Sequence, residues 1–142
     1  MGVVIASELL AAIVAQAQAF PDREICGLLL GDGDAVAEAR PCRNVHPAPT
    51  THFEIDASQL LAAHRAGRSG GRTVVGHYHS HPSGDAGPSA TDAADAAPDG
   101  SLWLIVAGVD VRAWRAVRRG AIHDRFDPVV LRVVSDAAKD DG

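Results

Sequence analysis

The part of the chain richest in groups that can do chemistry is a histidine cluster near its middle. Three of the seven histidines, His77, His79 and His81, fall within five residues. Residues two apart on a β-strand project to the same face, so His79 and His81 point the same way. A catalytic zinc ion takes three nitrogen or oxygen ligands and keeps one open position. With Asp92 as the carboxylate, His79 and His81 therefore predict a zinc site.

The alternative interpretations of these residues are structural. Histidines clustered in a strand can simply be surface residues. The spacing of Ser89 and Asp92 is also that of a helix capping box, in which each side chain bonds to the other residue's backbone N–H. Taken alone, that spacing favours the capping interpretation. However, the loop 82–88 is long enough to fold the start of this helix over the strand end. The joint spacing therefore favours a metal site.

The joint pattern resembles the JAMM (MPN+) family of zinc metallopeptidases. That family is marked by His-x-His-Pro, then six residues, then Ser-x-x-Asp, with a glutamate well upstream at the start of a buried strand. Residues 79–82 read His-Ser-His-Pro, and residues 89–92 read Ser-Ala-Thr-Asp after a gap of six. Residues 44–56 also resemble the stand-alone bacterial members. The resemblance covers roughly residues 7–120.

The resemblance implies roles for three further residues. Glu24 matches the upstream glutamate and would act as the general base beside one zinc ion per chain. Ser89 would donate a hydrogen bond to the oxyanion of the reaction. By itself, Glu24 could equally be a solvent-exposed residue between a helix and a strand. His77 stands where relatives more often carry a bulky apolar residue, and we interpret it as a neighbour of the site and not a ligand.

The substrate class is also implied by the resemblance. Members cleave peptide or isopeptide bonds after the C-terminal glycines of ubiquitin or ubiquitin-like proteins, and small bacterial members resemble enzymes that process sulfur carriers. The expected partner is therefore a ubiquitin-like or sulfur-carrier protein with a Gly-Gly C-terminus, whose tail enters as an extra strand. A small-molecule zinc amidase and a non-catalytic MPN scaffold stay open as alternatives. Three ligands argue against a purely structural zinc, which usually has four.

The elements that must position these residues alternate between strands and helices. That order predicts an α/β fold with helices flanking a mixed, mostly antiparallel sheet. The resemblance implies a single-domain MPN/JAB-like (cytidine-deaminase-like) form of it, with residues 1–134 as the domain and 135–142 as a disordered tail. The predicted strands are 3–5, 25–30, 35–43, 52–55, 72–80, 102–106, 109–117, 121–126 and 129–134. Ser7 is predicted to cap the first helix, and the other two helices are predicted to begin at Asp56 or Ser58 and at Ser89.

The bulk composition argues against several classes of function. The net charge is −5, and the densest basic stretch, 112–119, mixes arginine with apolar residues, so no nucleic-acid partner is expected. No basic residue precedes the apolar N-terminal stretch and no apolar run has bilayer length, which predicts a cytoplasmic protein without membrane contact. Cys26 and Cys42 form no CxxC pair and are expected to be buried thiols. HExxH, zinc-deaminase and phosphate-loop patterns are absent. The sequence does not determine the oligomeric state.

Overall fold

The computed structural model describes residues 2–135 of the chain. Apart from Ser135, the predicted disordered tail lies outside the described residues. The strands are β1 (Gly2–Ala6), β2 (Cys26–Asp32), β3 (Ala35–Cys42), β4 (Thr73–Ser80), β5 (Leu102–Ala107), β6 (Asp110–Ala116) and β7 (Phe126–Val134). The helices are α1 (Ser7–Ala19), α2 (Ala57–Arg68) and α3 (Ala90–Asp95). None of these helices is both long and apolar enough to cross a bilayer.

The strands form one mixed sheet that closes on itself in the order β1-β3-β2-β4-β5-β6-β7. Three strand pairs are parallel, namely β1 with β3, β1 with β7 and β4 with β5. The other neighbouring pairs are antiparallel. The predicted α/β fold with a mixed, mostly antiparallel sheet is confirmed. Its closure was not predicted, because the pairing of β7 with β1 joins segments from opposite ends of the chain.

The two central strands are buried almost throughout, as their continuous apolar sequences predict. Every residue of β5 is buried, and so are the first six of β2. One side of the sheet packs against α1 through a large apolar cluster that includes Ile13, Leu29 and Leu104. On the other side, α2 covers a smaller cluster that includes Leu28 and Ala63. Helices α1 and α2 thus cover two parts of the sheet. The candidate site lies at the C-terminal end of β4.

Three sequence predictions about local structure are wrong. Residues 52–55 form no strand; Ile55 makes only an isolated bridge to Asn44, because the Asn44 side chain takes the carbonyl of His52 and the N–H of Glu54, which a strand ladder would need. Residues 121–125 form a turn before β7, in which His123 and Asp124 adopt positive φ angles that a strand does not allow. Ser7 is the first residue of α1 and not its cap, and no side chain caps that helix.

The pairing of β4 with its neighbours fixes the strand that carries the histidines. In the register, His79 lies opposite Cys26 of β2 and beside Ile105 of β5. A side chain at Gly76 would clash with the backbone oxygen of Leu102, so the glycine lets β4 and β5 approach closely. The end of β4 therefore lies between two buried strands, next to the segment that enters β2.

Candidate metal centre

The end of β4 brings two histidine side chains together, as their spacing predicts. The Nε2 atoms of His79 and His81 are 3.0 Å apart. His79 is fully buried and His81 is 7% exposed. Two imidazole nitrogens that face each other inside the protein cannot both carry a hydrogen without conflict. They are therefore well suited to share a cation.

Asp92 completes this group from the first turn of α3. One carboxylate oxygen lies 3.2 Å from Nε2 of His79, and the other lies 3.1 Å from Nε2 of His81. Ser89 caps the helix: its hydroxyl accepts a hydrogen bond from the backbone N–H of Asp92, and its own N–H donates to the Asp92 carboxylate. The capping box and the metal-ligand interpretation are therefore both compatible with the structure. The cap sets the direction of the carboxylate.

The spacing of these three donor groups fits a zinc ion. With zinc–ligand bonds of about 2.0–2.1 Å, the ligand atoms of a tetrahedral site lie about 3.3 Å apart. The two Nε2 atoms are 3.0 Å apart, and each lies 3.1 or 3.2 Å from a different oxygen of the Asp92 carboxylate. Two imidazoles and one carboxylate leave the fourth position open, as in catalytic zinc sites. His79, His81 and Asp92 can thus hold a zinc ion without rearrangement of the fold.

Neighbouring groups fix the orientation of both imidazoles. The Nδ1 of His81 is 2.7 Å from the carbonyl oxygen of Asp85, which can only accept, so Nδ1 carries a hydrogen and Nε2 is the atom left to bind a cation. Such an outer partner is typical of histidines that bind metals. His79 is held by packing, because the ring of Phe53 stacks on it at a centroid distance of 4.2 Å. Neither Asp85 nor Phe53 was singled out from the sequence.

Protonation of the group also suits a metal site. Burial by itself raises the pKa of Asp92. Hydrogen bonds from His79 and His81 lower it by more than burial raises it, so the pKa of Asp92 lies well below its usual range. Burial lowers the pKa of His79, which keeps that ring neutral. Burial also lowers the pKa of His81, yet the Asp92 carboxylate and the Asp85 carbonyl raise it above its usual value. A metal ion must therefore compete with a proton mainly at His81.

Glu24 lies beside the two histidines, in the segment just before β2. The candidate ligand atoms of Glu24, His79 and His81 all lie within 4.8 Å of one another. Glu24 is 5% exposed, and its Oε1 atom has no hydrogen-bond partner among residues 2–135. Burial raises the pKa of Glu24 to about 7, with His81 lowering it and Asp92 raising it. A buried carboxylate with this pKa can accept and release a proton near neutral pH.

His77 lies further back on the same face of β4 and is not part of the converging group. Its ring is 6.4 Å from that of His79 and packs edge-on against Trp103 at 4.2 Å. Burial lowers its pKa to about 3, and the neighbouring His79 lowers it further. A half-buried, neutral imidazole among aromatic rings occupies the kind of space that an apolar side chain would fill. This geometry agrees with the interpretation of His77 as a neighbour of the site.

A comparison with known proteins identifies the family. The profile of Prok-JAB, described as prokaryotic homologs of the JAB domain, matches residues 6–117. The chain belongs to this family. The Prok-JAB match covers all the site residues described above, and the mixed sheet flanked by helices is the α/β fold that the sequence predicted.

Three relatives illustrate the similarity of the chain within the Prok-JAB family. A desampylase from Haloferax volcanii is 42% identical over 60% of this chain and 63% of its own length. A probable TtuB-protein conjugate cleaving protease from Thermus thermophilus is 39% identical over 52% of this chain and 49% of its own length. A CysO-cysteine peptidase from Mycobacterium tuberculosis is 31% identical over 80% of this chain and 82% of its own length. The chain thus spans less than two thirds of the first two relatives.

Solved structures agree with this assignment. Protein DSY2949 from Desulfitobacterium hafniense has 28% sequence identity, and the match covers 94% of this chain and 93% of that protein with a TM-score of 0.77. A JAB1/MPN domain protein from Archaeoglobus fulgidus has 23% identity, 94% and 98% coverage and a TM-score of 0.61. The second likeness concerns the fold alone. Together they extend the Prok-JAB fold over nearly the whole chain.

Proposed function

We propose that the chain is a zinc-dependent peptidase or isopeptidase that hydrolyses the amide bond after the C-terminal glycines of a ubiquitin-like or sulfur-carrier protein. The observation that carries the proposal is the convergence of His79, His81 and Asp92 at zinc-ligand spacing with the buried carboxylate of Glu24 beside them. We assign this activity to a domain of residues 1–134, with 135–142 outside it.

The proposed roles divide between holding the metal and moving a proton. A zinc ion held by His79, His81 and Asp92 would supply a Lewis acid and make hydroxide available near neutral pH. Glu24 takes a proton from the attacking water as the water oxygen bonds to the scissile carbonyl carbon. It then gives that proton to the leaving nitrogen as the carbon–nitrogen bond breaks. The raised pKa of Glu24, about 7, suits both transfers.

Ser89 is proposed to stabilise the oxyanion. Its hydroxyl oxygen accepts the N–H of Asp92 at 3.0 Å, which leaves the hydroxyl hydrogen free to donate elsewhere. The side chain lines a cleft of about 250 Å³ together with Glu24 and His81, so the free hydrogen can point at a group bound there. One such donor contributes about 10²–10³-fold to turnover in hydrolases.

The small size of this cleft supports glycine as the residue next to the scissile bond. Ligand pockets usually enclose about 300–1,000 Å³, and this cleft is smaller. Its walls are short polar residues, among them Thr50, Thr51, Ser83 and Thr91. A tail of two glycines brings backbone only and needs no side-chain pocket. The names of the relatives from Thermus thermophilus and Mycobacterium tuberculosis, a conjugate-cleaving protease and a CysO-cysteine peptidase, support a protein-linked substrate.

We also propose a cytoplasmic location. Cys26 and Cys42 lie opposite each other on β2 and β3, and both are free thiols. Burial raises the pKa of both thiols, so neither readily forms the reactive thiolate, which suits structural cysteines in a reducing compartment.

The proposal is tested with a ubiquitin-like carrier extended beyond its Gly-Gly by a short peptide. We expect the zinc-loaded protein to release a carrier whose intact mass ends at the second glycine. A matched carrier with Gly-Gly changed to Ala-Ala should be cut more slowly, because the cleft is small and offers no apolar pocket for the added methyl groups. Cleavage of short amides at the same rate, with or without the folded carrier, would indicate a small-molecule amidase. No cleavage of either substrate by the zinc-loaded protein would contradict the proposed enzyme.

A further inference from the structure

Glu24 lies in an irregular segment between α1 and β2, so no regular element fixes its position. A general base must nevertheless be held within about 0.5 Å of its working place. The loop 44–54 binds its backbone on both sides. The N–H of Glu24 donates to the carbonyl of Pro49 at 2.7 Å, and the Nδ2 of Asn44 donates to the carbonyl of Glu24 at 2.9 Å.

Ser80 binds the residues before and after Glu24. Its hydroxyl oxygen accepts the N–H of Ile25 at 2.9 Å, and the hydroxyl donates to the carbonyl of Arg23 at 3.4 Å. Its N–H donates to the carbonyl of Ile25 at 3.0 Å. Ser80 is 5% exposed, so water does not readily replace these bonds. One buried hydroxyl therefore forms hydrogen bonds with the backbone on both sides of the proposed base.

The position of Ser80 in the sequence connects this contact with the candidate metal ligands. Ser80 stands between the two histidines of the candidate site, on the opposite face of β4. We propose that Ser80, with Asn44, is a positioning residue that sets the carboxylate of Glu24 relative to the metal ligands. This inference rests on the proposed function, since it assigns how the general base is held. The strand that presents the ligands thereby also holds the base.

Asn44 holds the other side of the same segment. Its two donated bonds go to the carbonyls of Glu24 and His52, and its side-chain oxygen accepts the N–H groups of His46 and Glu54. All four of its hydrogen-bonding positions are used. An aspartate of the same shape at position 44 could accept both N–H groups but could not donate to the two carbonyls. The amide group is therefore specifically required.

The first test compares Ser80→Ala with Ser80→Thr. We expect Ser80→Ala to keep one zinc per chain and its KM while kcat falls about 10- to 100-fold, because a misplacement of about 1 Å costs about 10²-fold. Ser80→Thr keeps the hydroxyl and should recover most of the lost kcat. Ile13→Val in α1 is the control for stability, since it removes one buried methyl group and no hydrogen bond to the segment around Glu24. An unchanged kcat in Ser80→Ala would overturn the proposal.

A double-mutant cycle separates positioning from general damage. If Ser80 acts through Glu24, Ser80→Ala should have no further effect in a Glu24→Gln background. An equal fall in both backgrounds would overturn the proposal. If Ser80→Ala fails to fold, Asn44→Asp takes its place in the cycle. Its control is Gln59→Ala, because the Gln59 side chain accepts the N–H of Arg43, next to Asn44, without touching Glu24.

Amide hydrogen exchange gives a readout that does not depend on turnover. In the metal-free protein, Ser80→Ala should raise the exchange rate of the Ile25 N–H well above that of the wild type, while Ile13→Val should not. Unchanged exchange at Ile25 would contradict the contact on which the inference rests. If the wild-type protein exchanges the Ile25 N–H slowly but cleaves no carrier, the proposed function is contradicted. The hydrogen bonds from Ser80 to the backbone around Glu24 would then still stand.

Discussion

The two halves of the candidate site are built in different ways. The metal half consists of His79, His81 and Asp92, which are presented by the end of β4 and the capped first turn of α3. The other half is Glu24, which lies outside any helix or strand and is held by contacts from β4 and the loop 44–54. Regular elements thus fix the ligands, whereas long-range hydrogen bonds fix the base.

This difference implies that metal binding and turnover can be separated. The donors of the metal half are set by strand spacing and a helix cap, which are local features. The position of Glu24 depends on residues far from it in the sequence, such as Asn44 and Ser80. Changes in the first half should remove metal and activity together, whereas changes in the second half should remove activity and leave the metal.

The largest effect is expected from His81→Ala. This change removes one of three ligands and leaves the Asp92 carboxylate short of a partner, so zinc should be lost together with all measurable cleavage. His77→Phe is the matched control on the same strand and face, and it should keep about one zinc per chain. Metal analysis after gel filtration measures both. Retention of zinc by His81→Ala would break the assignment of the metal half.

Glu24→Gln should separate the two halves most clearly. The amide keeps the shape of the side chain but cannot take a proton, so we expect full zinc content with kcat lowered by about 10²–10⁴-fold. Cleavage is followed by the intact mass of the carrier, and zinc is measured on the same samples. Normal turnover in Glu24→Gln would remove Glu24 from the mechanism. Loss of zinc would instead make Glu24 part of the metal half.

Ser89→Ala should have an intermediate effect, because Ser89 caps the helix that carries Asp92 and is also the proposed oxyanion donor. It removes a proposed oxyanion donor, which should lower kcat by about 10²–10³-fold. It also removes the cap of α3, which costs about 1 kcal/mol of stability. Asp56→Ala removes the cap of α2 and serves as the control for stability alone. If both variants show the same kcat as the wild type, Ser89 acts only as a cap.

The smallest effect is a change in stability with pH in the metal-free protein. Burial raises the pKa of Glu24 to about 7 from the model-compound value of 4.5. Protonated Glu24 therefore stabilises the fold fully below pH 4.5, and this contribution is lost as the pH rises to about 7. In urea unfolding, wild type and Glu24→Gln should change differently between pH 5 and pH 8, with wild type losing more stability. Parallel changes in the two proteins would contradict a buried, protonated Glu24.

The sequence predicted the positions of the metal ligands more completely than that of Glu24. Local spacing places the ligands, whereas contacts that are distant in the sequence place Glu24. The spacing of His79, His81, Ser89 and Asp92 is local, and the structure brings these four residues together. The α/β fold follows from the order of apolar segments and is confirmed. The closure of the sheet depends on the pairing of β7 with β1, which periodicity does not encode.

The contacts around Glu24 could not be predicted from local patterns. Asn44 lies in a segment that was expected to lead into a strand, and its role depends on four hydrogen bonds to other residues. The stacking of Phe53 on His79 and the bond from His81 to the Asp85 carbonyl are also set by tertiary structure. A weak signal did exist, because Asn44 and Phe53 lie in the part of the chain that resembles stand-alone bacterial members.

The most direct test of the central claim is to return zinc stepwise to the chelator-treated protein while measuring bound zinc and cleavage of the extended carrier together. We expect no cleavage without metal, followed by a linear rise that saturates at about one zinc per chain. The released carrier should end at the second glycine throughout. Cleavage in the absence of zinc, or one zinc bound without any cleavage, would contradict the central claim.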